Sequence, residues 1–279
     1  MLGVKRQAEL VQDTTPEAAR IHRDVLRRLG PARRLEMGVQ LSQTMRLLIE
    51  AGVRHRHPEL SEPQVRREVL RLMIGETLSH KCPRAGKRGP VIDQTSFLLE
   101  IIHKLDAAGV PYMVTGSFGC NLHGQPRATN DVDIVILPTA GQLESLLDSL
   151  EEHYYADRET ARTALARCGM FNVIDTEGGW KADLIIRKPR PFSVTEFDRR
   201  SPVPFGGTTI NAVTAEDAIL SKLEWAKKAD SERQVRDAVS IADLQRDRLD
   251  DQYLRKWARE LRVARKLDEV LRQDADDAS

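Results

Sequence analysis

Cysteine, aromatic residues and long apolar runs are all scarce in this 279-residue chain. The three cysteines, Cys82, Cys120 and Cys168, are far apart and form no C-x-x-C pair, which argues against a disulfide framework or a zinc site. No apolar stretch approaches the roughly 20 residues of a membrane span, and residues 1–6 lack the apolar segment of a secretory signal. We therefore expect reduced thiols, a cytoplasmic location and no membrane partner.

Two common catalytic motifs are missing as well. The chain has no G-x-S-x-G sequence, so the nucleophile turn of an α/β-hydrolase is not predicted. Gly86-Lys87 does not complete the G-x-x-x-x-G-K-[ST] pattern of a P-loop. Neither a serine or cysteine hydrolase nor a P-loop NTPase is therefore indicated.

Charge is unevenly distributed along the chain. Residues 1–90 hold 18 Lys and Arg against 10 Asp and Glu, a net charge of +8, while the remainder carries −7, so the whole chain is +1. A basic end beside an acidic body could attract a polyanion, or its arginines could simply cover solvent-facing helices. The sequence alone leaves both readings open.

Hydrophobic spacing predicts an α+β fold with a small mixed β-sheet core flanked by helices. Thr15-Pro16 opens a helix and Gly30-Pro31 ends it, whereas Thr176 to Gly179 joins two strands as a hairpin. The predicted regions are a helical basic N-terminal region (1–80), a linker (81–92), a catalytic core (93–200), a C-terminal helical region that completes the site (201–273) and a disordered tail (274–279).

The most informative stretch joins a glycine turn to a strand that carries two acids. Gly116-Ser117 follows the apolar run 112–114, and Asp131 and Asp133 alternate with apolar residues in the next strand. Alternation places both carboxylates on one face, roughly 7 Å apart along the backbone. Asp183 interrupts a third apolar run, where an unpartnered acid would be costly to bury. Oxygen ligands of this kind suit Mg²⁺, so we expect a metal site.

These residues resemble the nucleotidyltransferase superfamily of the DNA polymerase β type. The similarity is greatest to the bacterial AbiEii-type branch of this superfamily, which includes toxins of toxin–antitoxin systems. The segment that carries it runs from Gly116-Ser117 through His123-Gly124-Gln125-Pro126-Arg127-Ala128-Thr129-Asn130 to Asp131-Val132-Asp133. The resemblance covers approximately residues 95–245 and is specific for the catalytic core more than for the substrate. Gly119 is a mild departure, since relatives often have Ala there.

The resemblance implies roles for the individual residues. Asp131, Asp133 and Asp183 would be catalytic and would ligate Mg²⁺, two ions in all, with Mn²⁺ as a substitute. Nucleotide binding would fall to Gly116, Ser117, Arg127, Lys222 and Asp237. From the residues alone, Arg127 could equally be a surface arginine, and Asp237 could bond Lys222, the acceptor, or a neighbouring arginine.

The expected activity is Mg²⁺-dependent transfer of NMP from an NTP to an acceptor hydroxyl. The resemblance favours RNA, especially the 3′ end of a tRNA, and a toxin with an antitoxin partner. Transfer to a protein or an aminoglycoside is an alternative, as is a non-catalytic binding or regulatory module that keeps the fold.

Overall fold

The computed structural model describes residues 15–82, 91–150 and 154–276. Twelve α-helices, one short 3-10 helix (Arg246–Arg248) and seven strands are assigned within these ranges. None of the helices in this described part combines the length and apolarity needed to cross a bilayer.

The helices and strands are numbered in chain order. The helices are α1 (Pro16–Arg56), α2 (Glu62–Ile74), α3 (Glu76–Ser79), α4 (Gln94–Ala107), α5 (Gly116–His123), α6 (Ala140–Leu150), α7 (Arg158–Arg167), α8 (Pro191–Asp198), α9 (Ala215–Ala229), α10 (Glu232–Gln245), α11 (Asp251–Glu260) and α12 (Ala264–Asp276). The strands are β1 (Tyr112–Thr115), β2 (Asp131–Ile136), β3 (Tyr154–Ala156), β4 (Met170–Asp175), β5 (Lys181–Ile186), β6 (Ser201–Phe205) and β7 (Thr208–Ala212).

All seven strands form one mixed sheet in the order β3-β4-β5-β2-β1-β7-β6. The central strand β2 runs parallel to β5 and antiparallel to β1. Val132, Ile134 and Ile136 of β2 are fully buried, while the acids and Val135 between them are only partly buried. The alternation seen in the sequence is therefore the alternation of the two sheet faces, and the predicted α+β fold is confirmed.

The apolar face of the sheet packs against helices from the first half of the chain. Phe97, Leu98, Ile101 and Ile102 of α4 join the β2 side chains in the largest apolar cluster, together with residues of α1, α2 and α6. A second apolar cluster packs α9 to α12 around Ile219 and other buried residues of that region. The partly exposed face of β2 meets this second cluster at Val135 and carries Asp131 and Asp133 beside it.

The N-terminal helices begin and break at the residues that the sequence predicts. Thr15 caps α1 by accepting the N–H of Ala18 at 3.3 Å, and Gly30 breaks the helix with a φ of +75° just before Pro31. The second half continues to Arg56 and is followed by α2, whose Ser61 and Gln64 form a capping box. The two halves of α1 are thus separated where the sequence placed a break.

The structure differs from the predicted regions near the C-terminal half and the tail. Strands β6 and β7 occupy the beginning of the region predicted as helical, because Gly206 and Gly207, with φ of +57° and +81°, make a hairpin turn between them. Residues 274–276, predicted as disordered, belong to α12, and 277–279 lie outside the described residues. Most of the predicted linker, residues 83–90, also lies outside them.

Candidate active site

Three aspartates lie on one face of the sheet, on two neighbouring parallel strands. Asp133 of β2 is in register with Asp183 of β5, and Asp131, two residues earlier, projects to the same face. Thr115 of β1 and Asn172 of β4 flank this pair in the same row. The structure thus brings together Asp131, Asp133 and Asp183, here called the acidic cluster, as the sequence predicted.

The carboxylates of the acidic cluster are close enough to affect one another. Burial, and after it the charges of Asp131 and Asp183, raise the pKa of Asp133 to about 6. Asp183 is almost fully buried, at 7% exposure. A negative charge on this face is therefore costly unless a cation compensates it.

One compensating cation is a residue of the chain itself. Lys181 precedes Asp183 by two positions, and its Nζ lies 2.9 Å from the Asp183 carboxylate and 3.6 Å from Oδ2 of Asp131. Burial lowers the pKa of Lys181, but the hydrogen bond and charge of Asp183 outweigh it, so the pKa lies above its usual value. Asn172 donates a further hydrogen bond to Asp183 at 2.7 Å. The acids are therefore partly neutralised and held in place.

The chemistry of the acidic cluster fits Mg²⁺, which prefers hard carboxylate oxygens. The pKa of Asp133 is raised first by burial and then by the charges of Asp131 and Asp183, and a divalent cation at this face would offset both effects. In the conformation seen here, however, no three His, Cys, Asp or Glu side chains of the described residues are arranged to hold an ion unaided. Assignment of Asp131, Asp133 and Asp183 as metal ligands therefore stays a prediction.

The glycine turn lies directly against the acidic cluster. Gly116 has a φ of +61°, and a Cβ added to it would lie 1.8 Å from Oδ2 of Asp133. A residue without a side chain is therefore required both by the backbone and by the close approach of Asp133. Gly116 begins α5, and Ser117 follows it at 9% exposure with its hydroxyl in the cavity wall. This helix start presents N–H groups beside the acids.

A chain of charged side chains joins the turn to the C-terminal helices. Arg127 donates to Ser117 Oγ at 2.8 Å and makes two bonds to the carboxylate of Asp237, at 3.0 and 2.9 Å. Lys222 of α9 lies 2.9 Å from the same carboxylate. Burial opposes ionisation of Asp237, but the bond from Arg127 and the charge of Lys222 outweigh it and lower its pKa. Asp237 therefore positions the two cations.

One cavity of about 450 Å³ connects these features. Seven of the eight residues predicted from the sequence line it, and only Asp237 lies behind the wall that Arg127 and Lys222 form. The seven are Gly116, Ser117, Arg127, Asp131, Asp133, Asp183 and Lys222. A ligand in this space would meet acids on one side and cations on the other, the arrangement that a metal-bound phosphate requires.

The segment between the turn and the acidic cluster is held by residues that sequence reasoning missed. The Asn121 side chain bonds both the N–H and the carbonyl of Arg127, each at 3.0 Å. Ser42 of α1 accepts the N–H of Thr129 at 3.0 Å, and Gly38 allows α1 to approach Asn121 closely. These contacts join α1 to the loop that carries Arg127, a long-range pairing that no local pattern indicates.

The cavity also extends beyond the predicted residues. Arg190 forms a bidentate ion pair with Glu224, with one N–O distance of 2.6 Å, and Ser221 donates to Glu196 at 2.6 Å. Burial raises the pKa of Glu196 to about 7. Trp225 lines the same space with 57% of its surface exposed. One residue of α8 (Glu196) and three of α9 (Ser221, Glu224 and Trp225) reach the cavity only through folding, although helical spacing from Lys222 could have indicated Trp225.

Comparison with known proteins gives two separate similarities. Residues 27–87 match a family model described as "Rv0078B-related antitoxin", and no curated protein matches the chain. Among solved structures, an antigenic nucleotidyltransferase-like protein from Paracoccidioides brasiliensis is similar at 17% identity and a TM-score of 0.44, over 64% of this chain and 91% of that one. ANT(2'')-Ia in complex with adenylyl-2''-tobramycin is similar at 13% identity and 0.43, over 61% and 97%.

JHP933 from Helicobacter pylori is a more distant neighbour, with 13% identity and a TM-score of 0.27 over 68% of this chain and 97% of that one. The solved structures similar to this chain thus include a nucleotidyltransferase-like protein. The roles of the site residues are inferred from their own geometry.

Proposed function

We propose that this chain is a nucleotidyltransferase that moves NMP from an NTP onto an acceptor hydroxyl and releases pyrophosphate. The observation that carries this proposal is the register of Asp133 with Asp183 on the face that opens into the cavity. The same cavity holds Gly116, Ser117 and Lys222, which suit phosphate binding. Acids and phosphate-binding groups in one space support transfer more than binding alone.

In the proposed reaction the acceptor oxygen attacks the α-phosphorus and forms a new P–O bond. The bond from the α-phosphorus to the bridging oxygen breaks, and the electron pair leaves with pyrophosphate. Asp183 borders the cavity and would accept the proton of the acceptor hydroxyl. Ser117 and Lys222 would hold the phosphates, and Asp237 would keep Lys222 and Arg127 in position.

Asp131, Asp133 and Asp183 would hold Mg²⁺, for which Mn²⁺ is a chemical substitute. When bound, the metal supplies charge neutralisation at the phosphates and at the attacking oxygen. Lys181 contributes to this arrangement, because its ammonium group pairs with both Asp131 and Asp183 and so keeps the two carboxylates close. It forms no such pair with Asp133.

The test is incubation of the protein with each α-labelled NTP, Mg²⁺ and total cellular RNA. We expect label in RNA, with tRNA 3′ ends as the leading acceptor and pyrophosphate as the second product. Label that enters protein or an added aminoglycoside instead would redirect the acceptor but keep the reaction class. If no NTP with Mg²⁺ is consumed or raises the melting temperature, the chain is a non-catalytic module and the proposal fails.

A toxin–antitoxin relationship within a single chain is part of this proposal. The antitoxin-like segment, residues 27–87, covers much of α1 and all of α2 and α3. Its side chains pack against the catalytic half: Arg46 bonds the carbonyl of Gly178 at 2.8 Å, and Ser42 bonds Thr129. None of its described residues lines the cavity. We infer that this segment braces the site and leaves its opening free.

Removal of one hydroxyl group can distinguish a supporting role of residues 27–87 from an inhibitory one. Ser42→Ala removes the acceptor for the N–H of Thr129 and leaves that donor buried, so we expect a loss of about 1–3 kcal/mol in the free energy of unfolding and slower transfer. Urea unfolding and a labelled-NTP assay measure the two effects. An inhibitory segment predicts the opposite, since its loosening would increase the rate.

Thr44 provides the control on the same helix. Like Ser42, it donates its hydroxyl to the carbonyl four residues earlier, Thr44 to Gln40 at 2.9 Å, but it is exposed and bonds nothing across the interface. Thr44→Ala should leave transfer and stability close to wild type. Equal effects of both substitutions would show that the contact with Thr129 has no special role.

A further inference from the structure

One face of α9 lines the cavity from the proposed phosphate-binding end to an exposed aromatic ring. Ser221, Lys222, Trp225 and Lys228 all line the cavity, and Trp225 is three or four residues from each of the other three, which puts them on one side of the helix. Trp225 is one turn beyond Lys222. A ligand whose phosphates reach Lys222 therefore has the indole ring within the same space.

The exposure of Trp225 has no counterpart in the other two tryptophans. Trp180 is fully buried and Trp257 is 7% exposed, whereas Trp225 is 57% exposed. Lys228 lies over the ring, 5.4 Å from its centroid, and Glu224 beside it is paired with Arg190. The ring thus contributes little to the core, and charged neighbours surround it. A flat apolar surface at a polar cavity suits a planar ligand that also carries charge.

Two polar atoms of the cavity wall are buried without a partner among the described residues. They are the amide oxygen of Gln234 and Nε of Arg187. α9 and α10 are joined by a short connection, and the pairing of Lys222 with Asp237 places Gln234 level with Trp225 on the facing helix. An unsatisfied amide in the wall of the same cavity as an exposed ring suits recognition of the edge of a stacked base.

We propose that Trp225 is the stacking platform for a nucleobase in this cavity, with Gln234 bonding the edge of that base. The inference rests on the proposed function. It assigns a role to an aromatic side chain, which the transfer reaction itself does not require. Two sources can supply the base: the NTP, whose phosphates lie at Ser117 and Lys222, or the end nucleotide of an RNA acceptor. Both are recognised by the same ring chemistry.

The test compares ligands with and without a base. Binding of each NTP, of inorganic tripolyphosphate and of a short single-stranded RNA is measured in Mg²⁺ for wild type, Trp225→Ala and Trp225→Phe. We expect Trp225→Ala to weaken an NTP or the RNA by roughly 10-fold or more, to leave tripolyphosphate unchanged, and Trp225→Phe to restore most of the affinity. Base stacking should also quench the wild-type tryptophan fluorescence, and this quenching should vanish in Trp225→Phe.

The same measurement distinguishes the two sources of the base. A loss of affinity confined to NTP shows that Trp225 stacks on the base of the substrate, and a loss confined to RNA shows that it stacks on the base of the acceptor. Lys222→Ala is the positive control and should weaken tripolyphosphate as well as NTP. Leu48→Ala, at a residue 68% exposed on α1 outside the cavity, is the control for removal of an exposed apolar side chain.

Unchanged affinity of Trp225→Ala for every NTP and for RNA would overturn the proposal while leaving the reaction intact. An equal loss for tripolyphosphate would also overturn it, since the ring would then support the helix and no base. Failure of the wild type to bind any NTP or tripolyphosphate would instead be failure of the proposed function.

Discussion

Asp133→Asn is expected to reduce nucleotidyl transfer by at least about 100-fold while leaving the protein folded. The substitution keeps the size of the side chain but removes the charge at the centre of the acidic cluster, between Asp131 and the in-register Asp183. A labelled-NTP assay measures the loss, and circular dichroism checks the fold. Turnover near the wild-type rate would remove Asp133 from the reaction.

The same variant is expected to be more stable than wild type in EDTA at pH 8. Burial and two neighbouring carboxylates raise the pKa of Asp133 from 3.8 to about 6, a difference worth about 3 kcal/mol. A carboxyl whose folded pKa is raised stabilises the fold fully below its ordinary pKa, and this stability is lost as the pH rises through 6. Wild type and variant should therefore melt alike near pH 4 and differ at pH 8.

Asp175 is the matched control, because burial also raises its pKa to about 6. It accepts the N–H groups of Glu177 and Gly178 at 3.0 Å, one on each oxygen, and does not line the cavity. Asp175→Asn removes a similarly buried charge but also loses one of these bonds, so at pH 8 we expect a smaller gain in the free energy of unfolding than for Asp133→Asn, together with near-normal transfer. Loss of transfer in Asp133→Asn but not in Asp175→Asn would separate a charge needed for the reaction from one that holds a turn.

Much of the site could be predicted because its signal is local. In β2 the alternation of acids with Val132, Ile134 and Ile136 fixes both the strand and the shared face of Asp131 and Asp133. Gly116 was recognised from its place between a strand and a helix. Such features depend on a few consecutive residues, so the sequence contains them without any knowledge of the tertiary structure.

Other parts of the site depend on pairing between distant segments. Lys181 looked like the polar start of a strand, and only the parallel pairing of β5 with β2 places it opposite Asp131. Ser42 meets Thr129 across 87 positions of the chain. For Asp237 the sequence left Lys222, the acceptor and a neighbouring arginine open, and in the structure it pairs with Lys222 of α9 and with Arg127. No spacing rule in the sequence ranks these contacts.

The strands missed near residue 201 have a different cause. β6 contains Pro202 and Pro204, which weaken a strand pattern because proline donates no ladder hydrogen bond. The strand is tolerated at the edge of the sheet, where it pairs only with β7. Edge position is a property of the sheet as a whole, and a local reading of the prolines favours a loop or a helix start.

Among the glycines of the described residues, Gly116 is where an added methyl group is expected to lower activity and stability the most. Gly116 has a φ of +61°, and this left-handed conformation costs a residue with a Cβ roughly 1–2 kcal/mol. The new Cβ would also lie 1.8 Å from Oδ2 and 2.7 Å from Cβ of Asp133. Rotation of the Asp133 side chain cannot move its own Cβ, so the turn or β2 must shift. We expect at least a 100-fold loss of transfer, on the order of other active-site donor losses.

Gly141→Ala is the control for that substitution, since an added Cβ there meets no atom within 4 Å and φ is not positive. It should leave transfer unchanged and raise the free energy of unfolding by about 0.4–1 kcal/mol. A double-mutant cycle of Gly116→Ala with Asp133→Gly then tests the overlap itself, because Asp133→Gly removes the atoms that the new methyl group meets. If the two substitutions destabilise additively, the glycine turn does not depend on Asp133, and its requirement at this position lies in the backbone conformation alone.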